Sequence, residues 1–246
     1  MSNVWLAIPS ARPNGGTIPL WRDRGYKIAV VRDEAQKLPY EVDIFESFLP
    51  YPGYAISVNA LVEYILRQDP DARWIVTGGD DVEPDMNHTP EQITRQCTEY
   101  FSDLHNECCR DARVSRTFGV MQPTGDRWAR GSIDRICGSP WMGREFCERM
   151  YGGEGPLYYG YTHMHVDEEL QAVAVKLGVL WQRPDLIHLH RHWMRETWPK
   201  VQRAECPEFL KEANSMRHWN ESKALFQSRK AAGFPGHEPL PVEVCV

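Results

Sequence analysis

Three short apolar runs, each kept apart from the next by residues at helical spacing, constrain this chain more than any other feature. Val4 to Ile8 is continuously apolar and stops at Pro9, Lys27 to Val31 stops at Arg32-Asp33, and Trp74 to Thr77 stops at Gly78-Gly79. Unbroken apolar character is how strands buried on both faces read. Between the first two runs a helix opens near Thr17, Ile18 and Pro19. Ahead of the third, Val58, Leu61, Val62, Ile65 and Leu66 recur at helical intervals. Strands alternating with helices imply an α/β fold with a mostly parallel sheet flanked by helices.

The downstream half continues the pattern. Thr89-Pro90-Glu91-Gln92 is a capping box with proline at the first helical position, and it opens a helix towards Cys109. Thr117 to Met121 reads as a strand and Ser139-Pro140 as a second helix start. Asp167-Glu168-Glu169 begins a helix that Gly178 ends. A chain of 246 residues suits one sizeable domain, expected over 1–193, with a helical and irregular extension over 194–246 whose last 16 residues are rich in Pro and Gly.

The net charge of −6 is unevenly spread: Arg191 to Lys230 carries +4, which leaves −10 elsewhere. A basic extension on an acidic body is an asymmetry that can mark a polyanion-facing edge or a solvated helix. The seven cysteines include no Cys-x-x-Cys pair, so neither a zinc ribbon nor a disulfide framework is indicated, and a reducing compartment is expected. The amino terminus lacks a charged leader, and no stretch reaches the roughly 18 apolar residues that span a bilayer. A cytoplasmic protein without membrane contact is the expectation.

Two clusters carry chemistry. In VTGGDDVEPD, residues 76–85, Asp80 and Asp81 directly follow a strand, with Glu83 and Asp85 close behind. A Gly-Asp cluster of this kind is either a turn or a cation site, because hard cations take carboxylate oxygens. Ligands of open α/β sheets sit outside the carboxyl ends of the strands, which favours the cation reading. The second cluster is LIHLHRHW, in which His188, His190 and His192 occupy alternate positions and would share one face of an extended segment.

In the order of its parts over roughly residues 3–193 the chain resembles the GT-A glycosyltransferases, which bind a nucleotide-sugar and a divalent metal on a Rossmann-like sheet. The matching stretches are VWLAIPSARPNGG, a second strand ending at Asp33, the helix SVNALVEYIL, and GGDDVEP. They continue through YGGEGPLYYGY and VDEEL to HLHRHW. The resemblance implies a GT-A fold, Mn²⁺ or Mg²⁺, and a nucleoside-diphosphate sugar, with UDP favoured. The family's DxD-type motif falls on Gly79-Asp80-Asp81 or on Asp81-Val82-Glu83, with Asp81 common to both. Its xED motif falls on His165-Val166-Asp167. Metal contact is thereby expected of Asp81, His190 and His192, with His188 as the other histidine in question. Donor contact is expected of Pro9, Asp33, Asn59, Asp80 and Gln122, and general-base catalysis of Asp167, whose alternative role is a helix cap. Trp141 and Arg144 in CGSPWMGREF could meet acceptor or phosphate, or simply belong to the core.

GVMQPTGDRW and GSPWMGREFCERM are similar to stretches of glycosyltransferases carried by tailed bacteriophages, some of which modify hydroxymethylated pyrimidines in DNA. With the basic, tryptophan-bearing RHWMRETWPKVQR, this resemblance makes DNA a candidate acceptor and the host cytoplasm a candidate compartment. Two other functions fit the same residues. One is a hydrolase with metals on the histidines; the other is a nucleotide-binding module without turnover.

Overall fold

The computed structural model describes residues 3–32, 38–48, 50–108, 117–127, 136–192, 211–212 and 215–241. The first two apolar runs become β1 (Val4–Pro9) and β2 (Lys27–Arg32), parallel and in register from Trp5 opposite Lys27 to Pro9 opposite Val31. Helix α1 (Ile18–Asp23) connects them. A short strand β3 (Ile44–Ser47) pairs parallel to β2, and α2 (Tyr54–Gln68) returns the chain to β4 (Trp74–Val76), parallel to β1. Leu61, Val62 and Ile65 of α2 are fully buried, and the helix packs on β1 and β2.

After a two-residue strand β5 (Val82–Glu83), helix α3 (Pro90–Cys108) opens with the expected capping box. The Gln92 amide N–H donates to Thr89 Oγ1 at 3.2 Å, and the Thr89 N–H donates to Gln92 Oε1 at 2.8 Å. Strand β6 spans Val120–Pro123, shifted from the expected 117–121. Ser139-Pro140 opens a strand rather than a helix: β7 (Trp141–Gly143) lies antiparallel between β4 and β6, and α4 (Arg144–Arg149) starts only behind it. Trp141 and Met142 are completely buried, and the sheet hydrogen bonds on both sides of β7 outweigh the local cap signal.

Helix α5 (Val166–Lys176), β8 (Leu180–Arg183), β9 (Leu189–His190) and α6 (Met216–Ala231) complete the described chain. The main sheet has the order β3-β2-β1-β4-β7-β6-β8, in which β7 alone opposes the other strands, and β5 pairs with β9 in a separate antiparallel ribbon. The fold is thus α/β with a mostly parallel sheet flanked by helices, compatible with a Rossmann-like arrangement. No helix among the described residues is long and apolar enough to cross a membrane.

The carboxyl-terminal helix is joined to this body through a buried ion pair. Glu169 in α5 is 1 % exposed and accepts from the Tyr151 hydroxyl at 2.9 Å, the Tyr161 hydroxyl at 2.8 Å and the Arg229 guanidinium of α6 at 2.7 Å. Arg229 also lies 3.3 Å over the Tyr158 ring, so its charge meets a carboxylate and an aromatic face together. Two of the extension's cations are therefore committed, Arg229 here and Arg217 to Glu212, and Arg191 just ahead of it pairs with Glu83. Arg195 and Lys200 lie outside the described residues.

Candidate functional site

The strand order reverses between β1 and β4, since from β1 the chain moves first to β2 and β3 on one side and then to β4 on the other. A reversal of this kind opens a crevice at the carboxyl ends of the two strands. The loop after β1 and the acidic segment after β4 meet there. Ser10 Oγ donates to Asp80 Oδ2 at 2.8 Å and Arg12 Nε to Asp80 Oδ1 at 2.7 Å, while the Thr17 N–H donates to the Asp80 carbonyl at 2.9 Å. Gly16 makes that approach possible: it has φ 57, and a Cβ there would come within 1.9 Å of the Asp80 carbonyl oxygen.

Each of the four acids has its own partner. Asp85 is buried and accepts from the backbone N–H groups of Asn87, His88 and Ile187 at 2.8–2.9 Å, which tethers the start of the histidine segment to the turn. Glu83 forms an ion pair with Arg191. Asp80 is held by Ser10 and Arg12. Asp81 reaches the histidines: its Oδ1 is 3.2 Å from His190 Nε2, with Arg12 3.8 Å from the other oxygen. Gly79 leaves the room, because a Cβ at that position would stand 2.5 Å from Asp81 Oδ1. Burial alone would raise the Asp81 carboxyl, but the hydrogen bond from His190 and the His190, Arg12 and His192 charges hold it below the usual carboxylate range.

The histidine segment divides. Pairing of Val82 with His190 brings His190 to Asp81, and His192 follows with its ring 5.0 Å from that of His190. Burial first, and then His190, push the His192 imidazole down to about 4, so it is neutral at pH 7. His188, just outside the two-residue β9, is set apart from them in the core, contrary to the expectation of three histidines on one face. Its Nε2 accepts from the Trp141 indole N–H at 3.4 Å, which leaves Nδ1 to donate to Ser139 Oγ at 2.8 Å, and its ring packs edge-on against Trp21. Burial pushes its imidazole down to about 4 as well. Both of its nitrogens are committed to the core.

Asp167 lies on the same sheet edge. The Cys137 N–H donates to the Asp167 carbonyl at 3.2 Å, and residues 138–140 lead directly into β7, where the Thr77 N–H meets the Pro140 carbonyl at 3.3 Å. Tyr54 closes the gap from the helix side, with its hydroxyl 2.9 Å from Thr77 Oγ1 and its phenol exposed to the Asp167 charge. Asp167 is the second residue of α5 rather than its cap, a position taken by His165, and its Oδ1 accepts from the Glu168 N–H at 3.0 Å. Burial, aided by the Glu168 charge, raises its carboxyl above the ordinary range.

No family model matches this sequence, and no curated protein compared with it is similar enough to count as a relative. The geometry therefore carries the functional argument alone.

The remaining expected contacts fall as follows. Pro9 closes β1 opposite Val31, at the rim of the crevice. Asn59 is buried, with its Nδ2 donating to the Leu157 carbonyl at 2.7 Å and its Oδ1 accepting from the Leu157 N–H at 3.1 Å, which is a tie between α2 and a loop. Gln122 is buried in β6, where it bonds to the Ile136 carbonyl and to Gln182. Arg144 donates to the carbonyls of Leu66, Asp69, Pro70 and Ala72, the orphan acceptors behind α2, and Trp141 is core. Asp33 lies outside the described residues. Sequence reasoning did not single out Ser10, Arg12 or Tyr54. The first two follow a strand that was recognised, and the carboxyl-edge rule applied to that loop would have found them.

Among the described residues no three His, Cys, Asp or Glu side chains are already gathered as a metal-binding group. The donor types nevertheless suit a divalent ion. Asp81 Oδ1 and His190 Nε2, 3.2 Å apart across a hydrogen bond, are a carboxylate and an imidazole that an ion could bridge in place of the shared proton.

Proposed function

We propose that this chain is a metal-dependent glycosyltransferase that moves a sugar from a nucleoside-diphosphate sugar, UDP-linked by preference, to a hydroxyl acceptor. The observation that carries the proposal is the Asp81–His190 contact at the strand-order reversal, with the Asp167 carboxyl on the same edge. Asp81 and His190, joined by His192, would hold Mn²⁺ or Mg²⁺, which when bound supplies positive charge for the departing diphosphate. Ser10 and Arg12 fix Asp80 and, through it, the backbone from which Asp81 projects.

At the acceptor end burial raises the Asp167 carboxyl above the ordinary range, which makes its carboxylate a stronger base than an exposed one. As the acceptor oxygen bonds to the anomeric carbon, its proton passes to Asp167, and the bond from that carbon to the diphosphate oxygen breaks with its electron pair leaving on the diphosphate. The hydrolase alternative is less well supported, because it asks all three histidines to bind metal and His188 has both nitrogens engaged in the core.

Titration calorimetry of UDP with and without Mn²⁺ tests this reading. The native chain is expected to bind UDP more tightly with Mn²⁺, and Asp81→Ala, folded by circular dichroism, is expected to lose that gain. Equal Mn²⁺-dependent affinity in the folded variant removes Asp81 from the site and the proposal with it.

A further inference from the structure

The Asp167 end of the crevice is bordered by aromatic side chains that the donor chemistry leaves unused. His165, in the left-handed region at φ 66, has its ring 5.0 Å from Trp219 and stacked at 5.6 Å on Phe226, both from α6. Its Nδ1 lies 2.6 Å from Glu168 Oε2, and its buried Nε2 has no hydrogen-bond partner among the described residues. On the other flank the His163 ring stands edge-on to Tyr54 at 6.3 Å, and the Tyr54 N–H donates to the Thr162 carbonyl at 2.6 Å. His163 also feels the charge of His218 in the first turn of α6. Three elements, the start of α2, the 159–165 loop and the start of α6, therefore surround the turn that presents Asp167.

Part of this border faces solvent. Trp219 is 40 % exposed and Met216, one turn before it on α6, 70 %. Two of the cationic groups on this face are met by carboxylates. Arg217 is balanced by Glu212, and His218 stands between Glu212 and Glu221. Burial, helped by His218, lowers the His163 imidazole, so it adds no cation at pH 7. A polynucleotide needs cations for its phosphates, whereas a sugar ring offers an apolar C–H face for stacking and hydroxyls for hydrogen bonds, without charge.

We propose that this face is the acceptor site and that it takes an uncharged sugar ring, stacked on Trp219 with one hydroxyl turned to Asp167. The proposal rests on the glycosyl-transfer reading and adds to it the acceptor class and the part played by α6.

The test uses the full chain with no donor present. Methyl glucoside, methyl galactoside and methyl mannoside are titrated while saturation-transfer NMR and tryptophan fluorescence are recorded, and the native chain is compared with Trp219→Ala and Trp219→Phe. At least one glycoside is expected to bind, with Trp219→Ala weakening it roughly tenfold, the scale of a lost stacking partner, and Trp219→Phe recovering most of the loss. Binding by none of the three, or equal binding by a folded Trp219→Ala, overturns the proposal. So does salt-sensitive binding of a hydroxymethylcytosine oligonucleotide that Trp219→Ala abolishes, which would give the face to a nucleobase. Mn²⁺-dependent hydrolysis of UDP-sugars to water by the native chain separates the two readings. Hydrolysis without glycoside binding removes this acceptor site and spares the donor chemistry. Glycoside binding without hydrolysis does the reverse.

Discussion

Replacing Glu169 by Ala removes the carboxylate that holds α6 on α5. Arg229, 7 % exposed, would remain buried without its counter-ion, and the hydroxyls of Tyr151 and Tyr161 would lose their acceptor. Breaking one side of a buried pair costs about 3–5 kcal/mol, because the surviving charge keeps its desolvation penalty. That is a large part of the roughly 5–15 kcal/mol that holds a domain together. With a urea m-value of about 3 kcal/mol/M, the upper end for small proteins, the unfolding midpoint should fall by about 1–2 M. Circular dichroism at 222 nm reads the transition. The double variant Glu169→Leu with Arg229→Met removes both charges and keeps much of the volume, so it should recover most of the loss. A Glu169→Ala cost below about 1 kcal/mol would refute the view that this pair fastens the helix. A double variant no more stable than the single one would refute the explanation by uncompensated charge.

Asp167→Asn keeps the size of the side chain and is expected to lower turnover by about two orders of magnitude or more with little change in donor affinity, as removal of a general base does. Steady-state kinetics that show near-normal turnover would leave Asp167 a structural residue of the α5 turn. In the native chain the base must be unprotonated, and burial with the Glu168 charge raises its pKa, so turnover should fall as pH drops through a midpoint above the ordinary carboxylate value of about 3.9. A pH–rate profile with its acid limb at or below that value contradicts the assignment. For DNA, the uncharged acceptor site proposed above predicts no salt-sensitive affinity; a steep fall of affinity with salt that Arg195→Glu with Lys200→Glu weakens would instead show the basic segment meeting phosphates. A fluorescence-anisotropy titration of a hydroxymethylcytosine duplex that stays flat at the lowest salt removes DNA from the possible acceptors.

The elements legible in the sequence were those whose signal is local. β1, β2 and β4 announced themselves as apolar runs, and α3 by a capping box whose two hydrogen bonds both form. The convergence of Asp80 and Asp81 on a sheet edge followed from the position of a strand end. The misreadings have a common cause in long-range pairing. Ser139-Pro140 resembles a helix start, but Trp141 and Met142 are claimed by β4 on one side and β6 on the other. His188, His190 and His192 look equivalent by spacing, yet Ser139, Trp141 and Trp21 draw the first into the core, while pairing with Val82 leaves the second beside Asp81. Asn59 and Gln122 stand at suitable places in the order of parts, and the groups they bond to, among them Leu157 for the first and Ile136 and Gln182 for the second, are equally invisible to local sequence. The attachment of α6 was equally hidden, since nothing local to Arg229 names Glu169, sixty residues away, as its partner.

The central claim is glycosyl transfer from a nucleotide-sugar, and a donor screen addresses it directly. The purified full chain is incubated with Mn²⁺ and a panel of UDP-, GDP- and TDP-sugars, and released nucleoside diphosphate is measured with and without EDTA and with and without candidate acceptors. The expected result is release from one nucleotide class, UDP first, that EDTA abolishes, an acceptor accelerates, and Asp81→Ala eliminates. No release from any donor by a folded protein, or release that neither EDTA nor Asp81→Ala alters, would contradict the account.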